Sequence, residues 1–184
     1  SDNSIDLSER HLAYFSRNTG SDMLGNASDD RITSSPDNTY LMAGGNAYMS
    51  AIRLMNWQGA AIESAYPYSN ASTVPEKIDA SYAQDTAVLA HDFYFVPTKE
   101  ASREEKIDAV KKLIADYGCV QWSYYDADPY FNDDTDAYYN PNGSSTNHAV
   151  TIVGWDDEFP AGHFGNSRYE NVYKPEGDGA WIVK

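Results

Sequence analysis

The chain has 184 residues, 41% of them hydrophobic, enough for one compact unit or two closely packed halves. Its 13 basic and 28 acidic residues leave a net charge of −15, which opposes binding to nucleic-acid phosphates and to anionic membrane surfaces. No apolar run approaches the roughly 20 residues of a bilayer span, 15 tyrosines exceed what a disordered acidic tail would carry, and a single cysteine, Cys119, excludes an internal disulfide.

In chain order, the first predicted helix starts at Ser8, whose hydroxyl can cap free amides, and carries His11, Leu12 and Phe15. Residues 16–39 are polar and turn-rich. Gly44-Gly45 opens a second helix running to about Trp57, with Tyr48, Ile52 and Met55 on one face, Ala47, Ala51 and Leu54 beside them, and Gly59 as its stop. A loop from Glu63 to about Ile78, containing Tyr66-Pro67-Tyr68 and Pro75, connects two halves. Residues 87–96 read as a strand ended by Pro97.

Ser102 with Glu105 forms a capping-box pattern for a third helix along Ile107, Val110, Leu113 and Ile114 to Gly118. A strand follows from Cys119 to Tyr125, then an acidic and aromatic loop to Thr146. The run Ala149 to Val153 is too short and too β-branched for a helix, so it predicts a buried strand closed by Gly154, with His148 mounted at its mouth. After another polar loop, a last strand begins at Ala180. Early helices and late strands give an α+β fold class.

Six motifs in fixed order carry a further reading: Leu7-Ser8-Glu9, Ala43-Gly44-Gly45-Asn46-Ala47, Gly59 with Glu63 and Tyr66-Pro67-Tyr68, Tyr117-Gly118-Cys119-Val120, Asn147-His148-Ala149 through Gly154-Trp155, and Gly179-Ala180-Trp181-Ile182-Val183-Lys184. Together they resemble the papain-like cysteine peptidases, in the spelling of the bacterial branch, over nearly the whole chain. The resemblance implies a helical half, 1–70, lacking its N-terminal central helix, and an antiparallel β-barrel-like half, 71–184, carrying the catalytic histidine. A cleft lies between such halves. It also implies an internal fragment incomplete at both ends, because the family's nucleophilic cysteine precedes the Leu-Ser-Glu signal and its Asn-Ser-Trp-Gly segment follows Trp-Ile-Val-Lys. Residues 1–118 contain no cysteine.

The chemistry accounts for the residue types. Amide hydrolysis at neutral pH needs a thiolate, which an imidazolium and a helix N-terminus make available by lowering its pKa to roughly 3–4. His148 is the implied partner, holding the ion pair and then protonating the leaving amine. Gly44 and Gly45 match the glycine pair that lets a peptide lie along exposed backbone, and Gly45 would pair with it as an added strand does. The Asn147 carbonyl would accept from the substrate amide nearest the cut. Asn46, Ala47 and Ala149 would line the specificity pocket. Met42-Ala43 stands where relatives carry a cysteine, so that loop lacks its usual local disulfide.

Cys119 is expected to be a buried, inert core thiol, and His11, His91 and His163 packing or surface residues. The acids Asp126, Asp128, Asp133, Asp134 and Asp136 lack the glycine and terminal glutamate of a calcium loop. No metal or cofactor is expected. The implied partners are a peptide or protein substrate, with a propeptide or companion cell-surface domains in the full-length protein. The implied location is extracellular or at the cell surface. Two alternatives stand beside peptidase activity: a non-catalytic peptide-binding relative of the same fold, and an unrelated acidic β-rich interaction domain. The fragment by itself is expected to be inactive.

Overall fold

Ser8 caps the first helix, α1 (Glu9–Arg17), in the computed structural model, which describes residues 5–18, 20, 40–56, 58–68, 77–96, 99–143, 145–165, 168 and 173–184. The Ser8 hydroxyl accepts from the His11 amide at 3.0 Å and donates to the Tyr66 carbonyl at 2.6 Å, so one side chain both starts the helix and ties it to a distant loop. Glu9 in the first turn and Arg17 in the last suit the helix dipole. The chain divides into two compact units, Ser1–Tyr94 and Phe95–Lys184.

In the first unit, α1 turns Tyr14 and Phe15 into a core with Tyr40, Ile78 and Ala83. Tyr14 meets Phe15 and Tyr40 edge-on, each at 5.0 Å between centroids. His11 is fully buried and behaves as a packing residue, as expected. Its Nε2 faces the Tyr82 carbonyl at 2.8 Å and must carry the proton, while Nδ1 has no partner among the described residues. Burial foremost holds the His11 pKa below the ordinary imidazole value.

The second helix, α2 (Ala47–Met55), is shorter than the spacing predicts. Asn56 ends it, its amide donating to the Ile52 carbonyl at 3.0 Å, and Trp57 lies outside the described residues. Ala51 and Arg53 are buried, whereas Tyr48, Ile52 and Met55 are exposed. Gly59 is not the helix stop: a Cβ there would collide with the Val88 carbonyl, beside the bridge between Ala60 and Val88. That bridge is all that forms of the expected strand over 87–96. The rest of the stretch forms neither strand nor bridge, since β propensity alone does not make a ladder.

In the second unit, α3 (Arg103–Tyr117) begins in a complete capping box, the Glu105 amide donating to the Ser102 hydroxyl at 3.1 Å and the Ser102 amide to the Glu105 carboxylate at 2.7 Å. Hydrogen bonds to the carboxylate from the Ser102 backbone first, and then from the Ser102 side chain, hold the Glu105 pKa below the usual carboxylate range. Gly118, at φ +92°, ends the helix in the left-handed region. Five strands follow: β1 (Val120–Tyr124), β2 (Phe131–Asn132), β3 (Ala137–Tyr138), β4 (His148–Asp156) and β5 (Ala180–Val183).

β4 is the centre of an antiparallel sheet ordered β1-β4-β5, and β2 pairs with β3. Among the described residues these are open sheets, so the α+β class is present without a closed barrel. Gly154 does not close its strand, which continues to Asp156 through an irregularity between Ile152 and Gly154. Nor is the strand buried throughout; Ile152 alone within it is. Lys111 of α3 clasps both Asp157 oxygens, at 2.6 and 2.8 Å, and lies over the Trp155 ring, anchoring the helix to the far end of β4.

Candidate active site

The predicted residues fall into two groups, one in each unit. His148, Asn147 and Ala149 stand together at the head of β4, and Gly44, Gly45, Asn46 and Ala47 at the head of α2.

β4 runs antiparallel to β1 in a register that sets His148 opposite Tyr124 and Ala149 opposite Ser123. His148 and Ala149 are exposed. The rings of Tyr124 and His148 meet edge to face, 5.5 Å apart and 89° between planes. Desolvation foremost, then the neighbouring Asp126 carboxylate, raises the Tyr124 pKa. Asn147 extends the ladder: its amide donates to the Tyr124 carbonyl at 3.0 Å, its side-chain oxygen accepts from the Asp126 amide at 2.6 Å, and its side-chain nitrogen donates to the Asp126 carbonyl at 2.9 Å. This reciprocal clasp fixes the residue before the histidine. The Asn147 carbonyl accepts no hydrogen bond from the described residues.

At the head of α2, the Asn46 side chain accepts from the Met49 amide at 3.1 Å and is thereby committed to capping. Gly44 sits at φ +65°, a conformation that favours glycine. The neighbouring carbonyls are gathered by Arg17, only 6% exposed, whose guanidinium donates to the Ala43 carbonyl at 3.1 Å and the Gly44 carbonyl at 2.6 Å. Gly45 is exposed, and neither of its main-chain polar groups is bonded to the described residues. The pair borders a cavity of about 240 Å³ shared with Leu12, Ser16, Arg17 and Met49. That is below the roughly 300 Å³ typical of enclosed small-molecule sites.

Sequence reasoning missed Arg17, Tyr124 and the Asn147 clasp. Only the Asn147 contact carried a local signal, an amide side chain just before a strand. Cys119 corrects another expectation: it is exposed, not buried. It follows the C-terminal end of α3 and precedes an edge strand, so neither helix nor sheet covers it. A helix C-terminus is the negative end, the wrong one for stabilising a thiolate. Among the described residues no cluster of three or more metal-ligating side chains occurs.

The chain belongs to the papain family of cysteine proteases, whose family model matches residues 23–184. Among solved structures it is similar to the cysteine protease and lectin-like domains of Cwp84, a surface-layer-associated protein of Clostridium difficile, at 31% identity and a TM-score of 0.60 over 99% of this chain. It is also similar to a variant of the clostridial cysteine protease Cwp84 after propeptide cleavage, at 29% identity and a TM-score of 0.62 over 99% of this chain. The chain spans 35% and 39% of the lengths of those two structures. A comparison with curated proteins gave no match.

Proposed function

We propose that the parent protein is a cysteine endopeptidase in which His148 is the general acid and base. The single observation carrying this reading is an exposed imidazole fixed at the head of β4, in a chain that belongs to the papain family over residues 23–184. In this reading Cys119, the one cysteine of these 184 residues, is not the nucleophile, and the thiol and the asparagine that orients the histidine belong to the parent protein. The place of Cys119 just past the C-terminal end of α3, the negative end of the helix, argues against it as the nucleophile. His148 holds the ion pair with the thiolate and then protonates the leaving amine.

Residues 1–70 act as the helical half and 71–184 as the β-rich half. Gly45 pairs through its main chain with an extended substrate, Gly44 keeps that track free of side chains, and the Asn147 carbonyl accepts the substrate amide nearest the cut. Asn46, Ala47 and Ala149 border the side chain that sets specificity. Companion domains at the cell surface, a propeptide and a protein substrate are in keeping with the surface-layer association, lectin-like domain and propeptide of the Cwp84 structures.

The test is irreversible thiol-inhibitor labelling of the full-length protein together with fluorogenic peptide turnover. Labelling and turnover are expected, both abolished by replacing the nucleophile, with turnover also lost in His148→Ala. Failure of the inhibitor to label would favour a non-catalytic peptide-binding relative. The 184-residue chain alone is expected to be inactive, and turnover by it that disappears in Cys119→Ser would overturn the assignment.

A further inference from the structure

We propose that Tyr124 is a positioning residue for the His148 imidazole, an inference that rests on the reading of His148 as the acid and base. The two residues are directly opposed in the β1–β4 register, so their side chains leave the sheet on the same face. Their rings meet at 5.5 Å and 89°, the edge-to-face geometry favoured by the aromatic quadrupole. His148 is exposed and opens its strand, so little burial holds its ring in one rotamer. Among the described residues, no other ring touches it. Tyr124 therefore supplies a contact from within this chain that restricts the imidazole, beside the asparagine assigned to orient it.

Tyr124 can do this because its own ring is held. Trp122, two residues back on the same face, stacks on it at 5.7 Å and 25°. Tyr138 meets its ring at 5.0 Å and 69°, and anchors itself by donating its hydroxyl to the Tyr125 carbonyl. The Asp126 carboxylate lies by the Tyr124 hydroxyl, and the Asp126 backbone is clasped by the Asn147 side chain, one residue before the histidine. The support thus closes on itself. A ring wedged against three neighbours steadies the one ring that it opposes across the strands.

The imidazole must aim one nitrogen at the thiol and deliver the same proton to the leaving amine, so its orientation enters the chemical step and not substrate affinity. In the full-length protein, Tyr124→Leu is expected to lower kcat on the order of 10- to 100-fold with KM within about twofold. Tyr124→Phe, which keeps the ring, should retain most of the rate. A rise in KM without loss of kcat, or equal losses in both variants, would overturn the positioning role. A nuclear Overhauser contact between the Tyr124 and His148 rings in the wild-type protein reads the geometry with no variant at all, and its absence would overturn the proposal even if Tyr124→Leu did not fold. Should the contact be present in a protein without peptidase activity, the functional reading falls while the ring geometry stands.

Discussion

The two units hold their proposed site residues by opposite means. In Ser1–Tyr94 the glycine pair is fixed from behind, by a buried guanidinium that reaches out of α1 and takes two carbonyls, next to a core that also encloses His11. In Phe95–Lys184 His148 is held at the surface, by strand register and by the face of a neighbouring ring. Stability and geometry are therefore coupled in the first unit and separable in the second. A substitution near the glycines should unsettle the fold, and one near the histidine should change chemistry at little cost in stability.

That contrast can be broken most sharply at Gly59. Adding a methyl group drives it into the Val88 carbonyl and the Thr86 side chain, and Gly59→Ala should destabilise the first unit by about 3 kcal/mol. Hydrogen exchange in α1 should quicken while β4 stays protected; equal loosening of both would dissolve the distinction. Arg17→Met is expected to cost about 2 kcal/mol, since it removes charge-assisted bonds to two carbonyls and leaves them unsatisfied. Exchange at the Gly44 and Gly45 amides is the measurement to make.

His11 sharpens the comparison through pH. Its folded pKa is depressed by burial below the ordinary value of 6.5, so its contribution is complete above that value and is lost as pH falls. The unfolded chain takes up the proton first. Stability of the first unit should decline below pH 6.5 by no more than about 1.4 kcal/mol per pH unit. His11→Phe should flatten that slope in urea titrations run between about pH 7 and 5. His148→Ala is expected to have the smallest effect on stability, within about 0.5 kcal/mol, because the ring is exposed. A larger loss by urea unfolding would mean that the histidine is a packing residue.

What the sequence disclosed was local. The Ser8 cap, the Ser102–Glu105 box, the left-handed Gly118 and the strand behind His148 each depend on residues within a few positions of one another, and all four form. Errors arise wherever a partner has to be known. Residues 87–96 have the composition of a strand, but among the described residues the stretch forms a single β-bridge, at Val88. Reading Cys119 as a core thiol supposes a core that does not cover it, and reading Gly59 as a helix end overlooks that its smallness serves a carbonyl 29 residues on. Arg17 and Tyr124 escape sequence reasoning for the same reason. Each acts on a residue more than 20 positions away, Arg17 on Ala43 and Gly44 and Tyr124 on His148, and no periodicity encodes such distances.

The irregularity in β4 has one more consequence. Ile152 faces Val183 and Gly154 faces Ile182, so two steps along one strand match a single step along the other, and Val153 is the supernumerary residue. Side chains on a strand obey odd–even parity, and an inserted residue inverts it. The histidine end and the tryptophan end of β4 are thus out of phase by one count, and excising Val153 would bring them back into step, turning one of the two ends over to the opposite side of the sheet.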